Sequence, residues 1–402
     1  MAEPTAGSRR GPVLAIGAAQ LVAWASSTYL PAVLAKPIAG ELGIAPATVF
    51  GAFSFALVVM AVCGPAVGRA IDRHGGRGVL CLGNLVLAAG LALLGASSSL
   101  ATLFAAWALI GGGMALGLYD AAFAALVRLY GAGARGPITG ITLIGGFAST
   151  VGWPLTALLL ARWDWRVACY AWAALHLMLM LPLHWFGVPA AVPAAMVNAE
   201  TGAARGSGSE AAATRRSFVL LAVFGAATAF VTSAMAAHLP GLLVAAGAGG
   251  TAAIMAGALL GPAQVAARLT EFVAAHRYRV HPLLTARVAT VLHPVAGLGL
   301  AVIGGTPFAA AAFALLHGAG NGLITIAKGT LPLALFGSAG YGARQGMLAV
   351  SQRIMQAAAP FAFALVLDGF GVLAALGLSA SLSLVAVAAL LLLKTEESGA
   401  RT

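Results

Sequence analysis

The sequence predicts an all-α membrane protein of twelve transmembrane helices in two pseudo-symmetric six-helix bundles. Composition, run length and internal repetition predict it. The 402 residues are 61% hydrophobic and only 8% charged, with a mean hydropathy of +0.96. Soluble domains carry about 25% charged residues because their surfaces must be solvated. A third of that cannot cover a water-facing surface, which excludes a soluble enzyme, a nucleic-acid-binding module and a disordered chain. The apolar residues also come in continuous runs near the ~20 residues that cross a ~30 Å hydrocarbon core. A transmembrane β-barrel would show short alternating segments instead.

The first run, Pro12 to Ile38, exceeds the roughly 7–15-residue core of a signal peptide and gives span one at 13–36. Span two, 48–70, stops at Asp72-Arg-His-Gly-Gly-Arg77, and span three follows at 78–97. Span four, 101–127, ends where Arg128 to Arg135 begins; span five is 138–161 and span six 167–187. The stretch 187–216 holds a Gly/Ala/Ser-rich segment and Arg215-Arg216, cannot bury a core, and reads as a flexible linker. Spans seven and eight, 217–245 and 251–274, are separated from span nine, 288–305, by the basic run Arg277 to Arg287. Spans ten to twelve are 308–335, 346–367 and 371–393. The expected domains are therefore 1–186, a cytoplasmic linker 187–216, and 217–402.

Orientation follows from the basic residues. With the N-terminus in the cytoplasm, 17 of the 22 Lys and Arg fall on the cytoplasmic side and 3 on the other, Lys36, Arg162 and Arg166. That asymmetry is the positive-inside signal, and it explains the +11 net charge without a polyanionic partner. It places both termini in the cytoplasm. The three cysteines, Cys63, Cys81 and Cys169, sit in apolar runs and read as core residues.

The halves repeat each other. Leu129-Tyr-Gly131, Gly136, Gly140 and Pro154 match Leu335-Phe-Gly337, Gly342, Gly346 and Pro360 at one offset of 206 residues. Tyr29-Leu-Pro31 corresponds to His238-Leu-Pro240, and Gly64-Pro-Ala66 to Gly261-Pro-Ala263. Parallel six-span repeats joined by a linker are an arrangement of secondary transporters, with the substrate path between the halves.

The segment Gly68-Arg-Ala-Ile-Asp72-Arg73-His-Gly75-Gly-Arg77, after span two, resembles the loop signature of the major facilitator superfamily in spelling and in position. Trp165-Arg166 before span six is similar to a frequent pair of that family, and Arg268-Leu-Thr-Glu271 to the weaker second copy of the loop. The resemblance implies the major facilitator fold and alternating access. It also implies a cytoplasmic gate motif of Gly68, Asp72, Arg73, Gly75 and Arg77. Independently of it, Gly68 permits close helix approach, Asp72 can accept from a helix N-terminus, and Arg73 and Arg77 can pair across the halves or act only as topology charges. Val265-Ala-Ala-Arg268 and Trp24 to Tyr29 also resemble the monocarboxylate-porter branch, which implies a small organic anion.

Ionisable groups inside spans are costly and tend to be functional. Asp120 in span four, Lys328 in span ten and Arg353 in span eleven lie at similar depth, roughly 10–12 Å from the cytoplasmic edge at 1.5 Å per residue. His317, Asn321 and Lys328 form a polar stripe on span ten, and Gln352, Arg353 and Gln356 add to it from span eleven. Two cations with several amides suit an anion, with Asp120 as resting partner or proton carrier; a permanent structural ion pair is the competing reading. Tyr29 and His238, before Pro31 and Pro240, are further candidates for the path, as is Arg268, which competes with a plain Arg268–Glu271 pair. Ser149, Thr150 and Trp153 are weaker candidates; His176 and His293 are expected to be packing histidines.

No P-loop, zinc-spaced His/Cys cluster or dinucleotide fingerprint is present in the sequence, so no cofactor and no metal are expected. The sequence thus predicts a secondary active transporter and not an enzyme. The favoured cargo is an organic anion or monocarboxylate carried with protons across the cytoplasmic (inner) membrane. Its partners are the small-molecule substrate, protons and the lipid bilayer, with no nucleic acid, and it acts as a monomer. Alternatives within transport are proton-coupled export of drugs or amphipathic metabolites, or uptake of a larger metabolite such as a siderophore. A membrane receptor or enzyme on a transporter-like body is the alternative from another class.

Overall fold

The computed structural model describes residues 6–190 and 208–393, and among them there are helices and no strand. Most of the expected linker, 191–207, lies outside the described residues. Among the described residues, ten helical stretches are long and apolar enough to cross a membrane. Two of them, Leu100–Arg162 with 63 residues and Tyr341–Leu392 with 52, are about double length. At 1.5 Å per residue neither suits a single ~30 Å crossing. The first is interrupted at Gly131 (φ 55) and the second at Gly371 (φ 80), where the sequence places the start of the last span. The count fits twelve crossings.

The chain forms two compact units: residues 1–200 with 338–357, and 201–337 with 358–402. The first contains α1 (Ala6–Ser26) and α2 (Pro31–Leu42), which together make span one; α3 (Pro46–His74); and α4 (Gly76–Gly95). Span four is α5 (Leu100–Gly117) and α6 (Tyr119–Tyr130), and span five is α7 (Arg135–Gly145) and α8 (Ala148–Arg162). Span six is α9 (Trp165–Leu175), a π-helical turn His176–Met180, and α10 (Leu181–Gly187). The second unit contains α11 (Gly208–Ala245), α12 (Gly250–Tyr278), α13 (Pro282–Ile303), α14 (Pro307–Phe336) and the later part of α15 (Tyr341–Leu392). The opening residues of α15 pack in the first unit.

Local chemistry sets the boundaries. Ser99 and Thr102 form a reciprocal capping box at α5, Asp164 accepts from the Val167 N–H at α9, and Thr306 from that of Ala309 at α14. Gly43 ends α2 in the left-handed region at φ 65. The packing is that of a protein solvated by lipid. Val62, Met178, Phe186, Phe361 and Phe370 are each at least 72% exposed, whereas Gln20, Ser26, Asn84, His176 and His317 are buried. In water that pattern would be unstable; in hydrocarbon it is favourable, because polar groups must find their partners inside.

Candidate functional site

Three spans of the first unit are discontinuous, and the breaks carry polar side chains. Span one opens into a turn at residues 27–30, between α1 and α2. Pro31 begins the new helix and lacks the N–H that would continue the old one. Span four breaks at Leu118, whose backbone is extended (φ −80, ψ −173). Span five breaks at Gly146 and Phe147. A broken helix leaves backbone groups without partners, which is expensive in a membrane. Gln20, fully buried on α1, meets part of that cost: its Nε2 donates to the Gly117 carbonyl at 2.5 Å.

Asp120 stands in the first turn of α6, where the helix dipole favours a negative charge. Its Oδ2 accepts from Arg353 Nη2 at 2.8 Å and its Oδ1 from Gln345 Nε2 at 3.1 Å. Arg353 Nη1 donates to Gln356 Oε1 at 2.7 Å. The two charged side chains are 12% and 16% exposed, so the pair is largely dry. Gln352 is buried next to Arg353. A small cavity beside Asp120 is lined also by Met60, Gly64, Val67, Gly346 and Ala349. An aromatic group continues from the break. Trp24 packs on Tyr119 with ring centroids 5.0 Å apart, and Tyr119 stacks on Phe123 at 5.2 Å. Tyr29 meets Trp24 and Trp153, whose Nε1 donates to the Tyr29 carbonyl. Around these breaks Gln20 Oε1, Trp24 Nε1, Thr28 Oγ1, Gln345 Oε1 and Arg353 Nε are buried without a hydrogen-bond partner. Native interiors leave few such atoms, and a cluster of them calls for water or ligand.

The residues expected to form a gate motif lie at the end of α3 and the start of α4. Asp72 accepts from the backbone N–H of Gly342 (2.9 Å) and of Ala343 (2.8 Å), at the N-terminus of α15. That contact needs two backbones to touch. A Cβ on Gly68 would collide with the Gly342 carbonyl, and Gly64 faces Gly346 one turn earlier. Gly75 ends α3 at φ 82, a conformation that disfavours any side chain. Arg73 is exposed, and the Arg77 guanidinium lies 4.9 Å above the Trp185 ring. Trp165 and Arg166 both engage Glu41: Trp165 Nε1 donates to Oε2 at 2.5 Å and Arg166 Nη2 to Oε1 at 2.7 Å. Arg166 also donates to the carbonyls of Gly95 and Ser97.

In the second unit the span-ten stripe separates into two environments. His317 is turned inward, its Nδ1 at 2.7 Å from Nδ1 of His293, and Asn321 Oδ1 accepts from Thr232 at 3.0 Å. Lys328, further along α14, is only partly buried. Arg268 is buried on α12, donating to the Gly322 carbonyl (3.4 Å) and Gln264 Oε1 (3.3 Å), and Glu271 is buried on the same helix. His238 bonds the Pro360 carbonyl at 2.8 Å through Nε2 and stacks on Phe363.

Asp120, Arg353 and Gln356 thus come together in one cluster, with Gln352 buried alongside and Tyr29 at the adjoining break. His317, Asn321, Lys328, Arg268 and His238 belong to the other unit. Several polar residues escaped the sequence reading. Gln20 was masked by its apolar surroundings, and Gln345 lies one residue before the predicted span eleven. His176 and His293, expected to be packing histidines, are buried in hydrogen-bonded groups whose partners the sequence did not name. Asn84, a lone amide in span three, was a visible signal for the first of these.

The profile of the Major Facilitator Superfamily matches residues 16–327. No curated protein matches the chain by sequence. Among solved structures, the chain is similar to the human organic anion transporter MFSD10 (TETRAN), with a TM-score of 0.73 and 17% identity, over 96% of this chain and 100% of that one. It is also similar to the proton:xylose symporter XylE, solved with 6-bromo-6-deoxy-D-glucose, with a TM-score of 0.71 and 14% identity over 95% of each chain. At these identities the likeness is one of fold. With the family profile covering most of its length, this integral membrane protein belongs to the Major Facilitator Superfamily of transporters.

Proposed function

We propose that the chain is a proton-coupled secondary transporter of a small organic anion such as a monocarboxylate. In this reading the segments 1–186 and 217–402 are the two moving halves, the linker between them is cytoplasmic, and the chain works as a monomer in the cytoplasmic membrane. The observation that carries it is the dry Asp120–Arg353 pair at a helix break. A buried pair is kept by mutual neutralisation, and losing one charge strands the other. A proton added to the Asp120 carboxylate would release the Arg353 guanidinium, and a carboxylate substrate would then restore neutrality by bidentate pairing. Proton and anion thereby bind together. The orphaned polar atoms of Trp24, Thr28, Gln345 and Arg353 offer donors and acceptors for the rest of the solute.

Tyr29, His238, Lys328, Arg268, Asn321, Gln352 and Gln356 are assigned to the solute path, and His317 to proton binding. Asp72, with Gly68, Gly75, Arg73 and Arg77, is assigned to the cytoplasmic gate. The positive-inside count supports placing that gate on the cytoplasmic side. The likeness to a human organic anion transporter is compatible with the anion reading, and that to the proton:xylose symporter with the proton.

The test uses the full chain in liposomes with radiolabelled lactate and benzoate. An inwardly directed proton gradient should accelerate uptake, and Asp120→Asn should abolish that acceleration while sparing anion exchange. Flux unchanged by any pH gradient removes the coupling. Equal loss of uphill uptake and exchange in Asp120→Asn assigns the pair to structure alone.

A further inference from the structure

The first unit holds a buried polar chain within its spans. Ser26 Oγ lies 2.9 Å from His176 Nε2, His176 Nδ1 2.9 Å from Asn84 Oδ1, and Asn84 Nδ2 2.8 Å from His184 Nδ1. In the second unit a cavity is lined by Thr228, Thr232, Thr290, Ser383, Asn321 and the paired His293 and His317. Both histidines are 5% exposed, and Nε2 of His293 is buried without a hydrogen-bond partner.

Each hydroxyl around the cavity has one proton, and each has spent it. Thr228 donates to the Phe224 carbonyl, Thr290 to that of Ala286, Ser383 to that of Ser379, and Thr232 to Asn321 Oδ1. The hydroxyl oxygens therefore offer the cavity lone pairs only. An Nδ1···Nδ1 bond between two neutral imidazoles holds a single shared proton, so one of the two rings has an Nε2 with a bare lone pair. A basic nitrogen and four hydroxyl acceptors favour a positive charge between them, beside the Asn321 amide. No Lys, Arg, Asp or Glu is among the lining residues. The charged side chains described on the helices packed there are Arg215 and Arg216 on α11, Arg268, Glu271 and Arg277 on α12, Arg287 on α13, Lys328 on α14, and Arg344, Arg353 and Asp368 on α15. All are outside that lining, so nothing in it competes for the proton.

We propose that the His293–His317 pair and its hydroxyl-lined cavity form a proton site within the second unit, separate from Asp120. One proton from water adds to the bare ring nitrogen, an N–H bond forms, and the resulting imidazolium is held against the lone pairs of Thr228, Thr232, Thr290 and Ser383. The site concerns proton binding and stands whether or not the chain moves an anion.

The experiment is nitrogen NMR of the full chain, labelled at histidine, in lipid nanodiscs, between about pH 8 and about pH 4. Signals lost in both His293→Gln and His317→Gln identify the pair. They should gain one proton as the pH falls, with the same midpoint in Asp120→Asn. Thr290→Val keeps the shape but removes an acceptor, and should shift the midpoint downwards. A pair that stays neutral throughout overturns the proposal. So does an unmoved midpoint in Thr290→Val, or an equal change when sodium replaces potassium at fixed pH, since the cavity would then take a metal cation.

Discussion

Asp72 and Asp120 do different work with the same functional group. Asp72 is held by two backbone N–H groups at the start of α15, a charge–dipole contact that any carboxylate of the right reach could make. Asp72→Ala should lower stability by about 1.5–3 kcal/mol, the range for hydrogen bonds to a charged group, read as thermal unfolding of the purified protein. Asp120 faces a guanidinium in a dry setting. Arg353→Ala should cost about 3–5 kcal/mol, and less when Asp120→Asn removes the stranded charge as well. An equal cost with and without Asp120→Asn would mean that the pair is not an ionic partnership. Asp120 was legible because a charge in an apolar run stands out, and Asp72 because its loop resembles a family signature. Gln20 was not, because one amide in twenty apolar residues is a weak signal until its partner is known.

At the scale of the element, the spans were legible and their breaks were not. Continuous apolar runs locate a helix, whereas the interruption at Leu118 depends on what lies beside it, Gln20 with its amide on the Gly117 carbonyl. Pro31 announced the break in span one. The polar stripe of span ten shows the same limit. His317, Asn321 and Lys328 share a helical face in sequence, yet His317 pairs with His293 of α13, because the rotation of two helices about their axes is not written in either one alone. Gly68→Leu should force α3 from α15 and remove the Asp72 contact. We expect transport of lactate to fall with both, Gly68→Leu more than Asp72→Asn; unchanged flux in Gly68→Leu would show that the close crossing is dispensable.

For the whole molecule, composition decided the solvent and repetition decided the plan. A chain 8% charged places its polar groups inside and its large apolar side chains outside. The basic residues predict a topology with both termini on one side. Tags at each end, probed from outside intact cells, should both be inaccessible; labelling of either one reverses the assignment. Which residues join into compact units could not be read from the repeat, since the start of α15 packs with the first unit while the rest of that helix belongs to the second.

The bond from Gln20 to Gly117 has a consequence for descent. A helix that surrenders a backbone hydrogen bond and recovers it from a distant amide has tied two positions, 97 residues apart, to one fate. Lineages that keep the interruption at Leu118 should keep a donor at position 20. Those that lose the amide should have healed span four into an unbroken helix. The two changes should appear as correlated substitutions among relatives, a trace of the break that no single sequence displays.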